Sequence, residues 1–260
     1  MKLQATASLS FTANADVPAI FMLKPRSGYG QWVTSEKYTL DPDIQMIEYT
    51  DGFGNLCQRA VIPPGPFSIT ADCTVDTPDA IDVNSEAELV PVNLIPDPLL
   101  QYLLPSRYCQ SDLLGNLATS ITGNVTPGYQ QAEAIRAWIR REVRYEYGTS
   151  NASTSALDTA NQKVGVCRDL AHLGISLCRA INIPARMVVG YLHELKPMDL
   201  HAWFEAYVGS RWYVFDATQD EPKGNRITIA YGRDAADVAL STQFGPMQLN
   251  DMSVNVGPAE

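Results

Sequence analysis

Gly165-Val166-Cys167-Arg168-Asp169-Leu170-Ala171-His172 sets the frame for the rest of the chain. From Cys167 onward the apolar positions Leu170, Ala171, Gly174, Ile175, Cys178 and Ile181 recur at helical spacing, and Asn182-Ile183-Pro184 stops the run. The pattern predicts a helix that carries Cys167 in its first turn. Unpaired backbone N–H groups and the positive end of the helix dipole stabilise an anion at such a position, which is where a nucleophilic sulfur is wanted. A cysteine inside an apolar helical stripe is ordinarily a small core residue. Cys178 fits that ordinary role: it shares the face of Cys167 but lies about 16 Å further along the axis.

A nucleophile needs a base, and the chain offers one downstream. Leu200-His201-Ala202-Trp203-Phe204-Glu205-Ala206-Tyr207-Val208 reads as a strand, Gly209-Ser210 as a two-residue turn, and Arg211-Trp212-Tyr213-Val214-Phe215-Asp216 as the returning strand. If Val208 pairs with Arg211, Trp203 faces Asp216 and His201 lies on the same face. His201 and Asp216 are then diagonal neighbours, roughly 7–8 Å apart at the backbone, a gap their side chains can bridge. A carboxylate so placed holds an imidazole in one tautomer and stabilises its charged form. His172, five residues after Cys167 and about 140° around the helix, does not face the thiol and reads as structural. His193 ends a strand with no carboxylate fixed beside it and reads as a rim residue.

At this point the chain resembles the bacterial transglutaminase-like cysteine proteases, a branch of the transglutaminase-like superfamily with a papain-like core. The matching words are the Gly165 to His172 segment, Leu177-Cys178-Arg179-Ala180, Ile183-Pro184-Ala185-Arg186, Gly190-Tyr191-Leu192, His201-Ala202-Trp203-Phe204-Glu205, Phe215-Asp216-Ala217-Thr218 and Tyr231-Gly232-Arg233-Asp234-Ala235-Ala236-Asp237-Val238. The resemblance implies a Cys-His-Asp triad at Cys167, His201 and Asp216, the same three residues the spacing selects. It also places Thr218 two residues beyond the aspartate. Neither Arg186 nor the segment from Gly232 to Val238 receives a catalytic role, and Trp203 and Trp212 are read as packing aromatics.

Composition bounds what such a chain does. Its 260 residues are 45% hydrophobic, ample for a real core. With 19 basic against 29 acidic side chains and a net charge of −10, nothing supplies the footprint that neutralises phosphates, so no nucleic-acid partner is expected. No segment approaches the ~20 apolar residues that cross a bilayer, and the N-terminus lacks the apolar stretch of a secretory signal. Five cysteines at irregular spacing do not form a disulfide framework. A cytoplasmic location, no membrane association and no cofactor or metal are expected. The sequence does not fix an oligomeric state.

Residues 2–76 break into β-like runs at 4–12, 19–23, 31–40, 44–50, 58–62 and 67–75, separated by turn clusters such as Asp51-Gly52-Phe53-Gly54-Asn55 and Pro63-Pro64-Gly65-Pro66. They predict an antiparallel sandwich; the family has one in this position, and Phe53-Gly54-Asn55 resembles one of its words. Residues 76–98, rich in acidic side chains and proline, read as a linker. Helices are expected from Ser111 to about Ile121 and over 130–144. Tyr145-Glu146-Tyr147 then reads as extended, followed by a polar loop over 148–155 that can wall a cleft. The resulting expectation is an α+β protein: a β-sandwich domain over 1–95, and a transglutaminase-like core with a C-terminal β extension over 96–260. The final strand, over 248–256, has no assigned sheet.

The chemistry these residues suit is acyl transfer on a peptide or protein substrate. Cys167 attacks, His201 acts as base and then acid, Asp216 orients the ring, and water or an amine resolves the thioester. Water makes a protease or amidase; an amine makes a transglutaminase. A catalytically silent protein-binding scaffold and a zinc module built from Cys167, His172, His193 and His201 are the readings from other classes.

Overall fold

The structure is a computed structural model, and it describes residues 1–259 other than Tyr29 and Pro222. The first part of the chain forms β1 (Lys2–Ala13), β2 (Val17–Phe21), β3 (Trp32–Asp41), β4 (Ile47–Thr50), β5 (Leu56–Ile62) and β6 (Gly65–Asp76). In β1 the residues Leu3, Ala5, Ala7, Leu9, Phe11 and Ala13 are buried while their neighbours are not, the period-two pattern of a strand with one face on a core. Phe11, Phe21 and Phe67 meet between the two sheets, with ring centroids 5.9–6.4 Å apart.

The core follows with α1 (Gly115–Thr122), α2 (Tyr129–Glu142), β7 (Arg144–Tyr145), α3 (Ala156–Gln162), β8 (Val164–Gly165) and α4 (Cys167–Ala180). A sheet made from β9 (Ala185–Leu192), β10 (His201–Val208), β11 (Arg211–Phe215) and β12 (Arg226–Gly232) comes next, in the antiparallel order β11-β10-β9-β12. Last are β13 (Ser241–Gln243) and β14 (Met247–Pro258). These two leave the core: β13 pairs with β2, and β14 pairs with β1 along almost its whole length. The sandwich sheets are therefore β14-β1-β6-β3 and β13-β2-β5-β4, each holding strands from both ends of the chain. The final strand lies on β1, the assignment its sequence left open.

Helix α4 packs on one face of the core sheet. Alternation along β10 sends Ala202, Phe204, Ala206 and Val208 into the cluster that holds Leu170, Leu173 and Leu177 of α4, and turns His201, Trp203, Glu205 and Tyr207 to the other face. Burying each of those leucines contributes roughly 1.5–3 kcal/mol. Gly209 and Ser210, both at positive φ, make the tight turn that sets Val208 opposite Arg211, the register expected from the sequence.

Three local features differ from the sequence reading. A 3-10 turn (Ser111–Leu113) precedes α1, which starts only at Gly115. Helix α2 ends at Glu142 because Arg144 and Tyr145 are drawn into a parallel pairing with Val164 and Gly165. Helix α3 was not expected. It is too short to show periodicity and is signalled only by its cap, where Ser155 N–H and Oγ–H both donate to the Asp158 carboxylate.

Two side-chain amides fasten the sandwich to the core at the free edge of β12. Gln31 donates to Thr228 O and accepts from Thr228 N–H, both at 2.8 Å. Asn55 does the same with Tyr231, again at 2.8 Å on both sides. An edge strand otherwise presents unpaired backbone groups; here each amide mimics a neighbouring strand's peptide. Beneath them a single hydrophobic cluster runs from Leu3, Ala5 and Val75 of the sandwich to Tyr191 and Ile229 of the core. No helix among the described residues is long and apolar enough to cross a membrane.

Candidate active site

Cys167 is the first residue of α4 and follows an extended Val166. Asp169, in the first turn and fully buried, accepts the Val166 N–H at 3.0 Å and so fixes the angle at which the chain enters the helix. Arg168 pairs with the same carboxylate at 2.9 Å and also donates to Ser150 Oγ and Asn151 O, holding the polar loop over 148–155 against the helix start. Of the five cysteines, all free, Cys167 is the one that is part-exposed; Cys57, Cys73, Cys109 and Cys178 are buried. Burial pushes the thiols of Cys73 and Cys109 up to about 12.

His201 opens β10 and Asp216 follows the last residue of β11. His201 Nε2 lies 2.7 Å from Asp216 Oδ2, and both residues are buried. With Nε2 taken, Nδ1 is the nitrogen left for the sulfur, and the Cys167 side chain does interact with this ring. The other carboxylate oxygen, Oδ1, accepts from Thr218 N–H at 3.0 Å and Thr218 Oγ1 at 2.7 Å. The aspartate therefore has no idle oxygen. Diagonal placement on one hairpin brings His201 and Asp216 together, and the packing of α4 on β10 brings Cys167 to them.

Two opposed effects act on the imidazole. Burial lowers its pKa, but the Asp216 charge and hydrogen bond, together with the Cys167 sulfur, outweigh burial and raise it to about 9. For Asp216, burial pushes upward, yet His201, Arg226 and the hydrogen bond from Thr218 hold the carboxyl well below the usual carboxylate range. An imidazolium facing a sulfur is the environment in which reactive cysteines are found.

One other histidine stands apart. His172 is fully buried in α4, stacks on Tyr108 with ring centroids 5.1 Å apart, and accepts the Ala235 N–H at Nε2; burial lowers its pKa to about 4. Among the described residues no three His, Cys, Asp or Glu side chains are grouped to hold a metal ion.

Arg226 is a site residue that the sequence reading missed. It stands on β12, beyond β9 from His201, and its guanidinium lies 2.9 Å from Asp216 Oδ2 and over the Trp203 ring at 4.9 Å. No short-range pattern links β12 to β11, so only the sheet order reveals it. The remaining family words hold the scaffold. Arg179 ties the end of α4 to Ala185 O and Arg233 O, Asp234 accepts the Tyr108 N–H, and Arg186 pairs with Glu205 at 2.6 Å between the Trp212 and Tyr231 rings. A cavity of about 520 Å³ lies behind this layer, lined by Trp203, Trp212 and Arg226 but by neither Cys167 nor His201.

The chain resembles known proteins both across its core and along nearly its whole length. The profile described as the transglutaminase-like superfamily covers residues 115–217, from the start of α1 through Ala217. A crystal structure from Cytophaga hutchinsonii, provisionally described as a cysteine protease, superposes with a TM-score of 0.93 at 37% identity, covering 100% of this chain and 91% of that one. Uncharacterized protein ML0607 of Mycobacterium leprae is 28% identical over 234 residues, 84% of this chain and 82% of its own. Uncharacterized protein Rv2569c of Mycobacterium tuberculosis is 26% identical, over 92% and 86% respectively. Shared fold, shared core profile and near end-to-end likeness to one solved relative lead to one assignment: the chain belongs to the transglutaminase-like superfamily.

Proposed function

We propose that the protein is a thiol enzyme that cleaves peptide or amide bonds by acyl transfer, with Cys167 as nucleophile, His201 as general acid and base, and Asp216 as the residue that orients the ring. The observation that carries this reading is the junction of a part-exposed Cys167 at the start of α4 with a His201 ring whose Nε2 is held by Asp216 at 2.7 Å. The sulfur forms a bond to the carbonyl carbon while the carbonyl electron pair moves onto oxygen. As that tetrahedral species collapses, His201 gives its proton to the leaving nitrogen and the C–N bond breaks. A water deprotonated by His201 then attacks the thioester, the C–S bond breaks, and acid and thiol are released. The developing oxyanion meets the backbone N–H of Cys167 at the helix start.

Water rather than an amine as acceptor is favoured by the description of the Cytophaga hutchinsonii relative. The test has two arms. Iodoacetamide near neutral pH is expected to modify Cys167 alone, as read by peptide mass. A peptide library incubated with wild-type protein and with Cys167→Ala is expected to yield new termini only with the former. Incorporation of a labelled primary amine into a glutamine peptide in preference to hydrolysis would move the assignment to a transglutaminase, and an unreactive Cys167 would leave a binding scaffold.

A further inference from the structure

The cavity of about 520 Å³ lies on the face of the core sheet away from α4, lined by Trp203, Trp212 and Val214 of the sheet and by Gln31 and Ile81 from outside it. A space of that size suits a small molecule. Neither Cys167 nor His201 lines it, so acyl transfer at Cys167 leaves it unused. Along β11 the half-buried Trp212 and Val214 alternate with the buried Tyr213 and Phe215, which puts flat and apolar wall on the cavity side.

The lining is unbalanced in charge. Among the described residues it holds three cations, Arg186, Arg211 and Arg226, and two anions, Glu205 and Asp82. Glu205 pairs with Arg186 and Asp82 with Arg211, whereas the counter-ion of Arg226 is Asp216, which is not part of the lining. Hydrogen bonding is unbalanced in the same sense. Both terminal nitrogens of Arg226 and Nε1 of Trp203 are buried donors without an acceptor, against one unmatched acceptor at this wall, Asn225 Oδ1. The two donor side chains are only 7% and 2% exposed, and buried donors left unmatched are costly. A ligand that brings acceptor oxygens and negative charge on a flat apolar body answers both imbalances.

We propose that this cavity binds a small aromatic acid, its ring against Trp203 and Trp212 and its carboxylate on the Arg226 guanidinium. The guanidinium and indole nitrogens are covered, so the acid reaches them as the head of Arg226 turns from Asp216 toward the cavity. Arg226 is then shared between two carboxylates. Since Asp216 Oδ2 also holds His201 Nε2 at 2.7 Å, occupancy of the cavity is felt at the imidazole. None of this depends on Cys167 being a nucleophile.

1-Naphthoate, 1-naphthylmethanol and 1-naphthylmethylamine carry the same ring with an anionic, a neutral and a cationic group. In calorimetric titrations of the full chain near neutral pH, naphthoate is expected to bind about tenfold or more tightly than the other two. Val214→Trp fills the cavity from β11 and Arg226→Gln removes the guanidinium; each is expected to weaken naphthoate about tenfold or more, with urea unfolding showing that both variants are folded. In wild-type protein naphthoate should shift the imidazole C–H resonance of His201, assigned with His201→Gln, while His172 in α4 keeps its own. Equal and weak binding of the three compounds would mean a cavity that holds water alone and would overturn the site. Undiminished binding in Val214→Trp would place the acid elsewhere, and an unmoved His201 resonance would break the link through Arg226; either overturns the proposal.

Discussion

Arg226 Nη1 stands 2.9 Å from Asp216 Oδ2, the oxygen that His201 Nε2 reaches at 2.7 Å. The contact is ionic rather than an aligned hydrogen bond, since the terminal nitrogens of Arg226 have no hydrogen-bond acceptor while its Nε donates to Lys223 O. Asp216 is thus shared between an imidazole on its own hairpin and a guanidinium from β12, two strands beyond β10. Replacing Arg226 by Gln removes a charge that favours the ionised carboxylate, so the Asp216 pKa rises. The acid limb of Cys167 alkylation by iodoacetamide should then move to higher pH, with Arg226→Lys restoring part of the shift. A pH–rate profile checks this, and an unmoved acid limb would count against a positioning role.

Gly174 has no room for even a methyl group: a Cβ there would stand 2.4 Å from the Phe204 ring. The contact joins the middle of α4 to the middle of β10, and so sets the distance between the strand that starts at His201 and the helix that starts at Cys167. Gly174→Ala is expected to cost about 1–3 kcal/mol through overpacking and to slow alkylation of Cys167 by displacing the ring from the sulfur. Phe204→Leu in the same chain should recover part of both. A double-mutant cycle in urea measures the coupling, and additive losses would mean that the two residues do not press on each other.

How far the sequence discloses this site follows from the range of each interaction. Cys167 and the His201–Asp216 pair are legible because helix spacing and hairpin register are local, acting over a few residues. The six β runs of residues 2–76 are legible for the same reason, as burial alternates along β1 and β6. Arg226, Gln31 and Asn55 are not, because their partners Asp216, Thr228 and Tyr231 are fixed by sheet order and domain docking. Phe53-Gly54-Asn55 stood out only as a resemblance; the structure gives the reason, since Asn55 is the amide that seals β12. Tyr145 reads as extended and is so, but its parallel pairing with Gly165 spans α3, a helix the sequence does not reveal.

Because Gln31 and Asn55 satisfy backbone groups of an edge strand, removing either amide leaves a donor and an acceptor of β12 unpaired. Asn55→Ala is expected to destabilise by about 1–3 kcal/mol, and exchange of the Tyr231 amide hydrogen should quicken more than that of amides in β1. Gln31→Ala should act in the same way on Thr228. Native-state hydrogen exchange resolves the two sites. Uniform acceleration across the chain would show that the amides contribute to global stability without acting as local clasps.

Stability should also depend on pH through the buried pair. The folded pKa of His201, about 9, lies above its ordinary 6.5, so the folded state binds the proton more tightly than the unfolded chain does. The resulting stabilisation is fully present below about pH 6.5 and is lost as pH rises through about 9. For a shift of this size the loss is about 3 kcal/mol. Asp216 has the opposite sign: its folded pKa is depressed, so its contribution is present above about pH 3.8 and fades as the solution becomes more acid. The two describe one interaction and are not to be added. Urea unfolding of the wild-type chain between pH 6 and 9.5 should show a falling midpoint with an unchanged slope, and in His201→Gln this decline should flatten. A wild-type midpoint that held steady across that range would mean that the ring is neutral in the folded protein, and the imidazolium beside Cys167 would have to be abandoned.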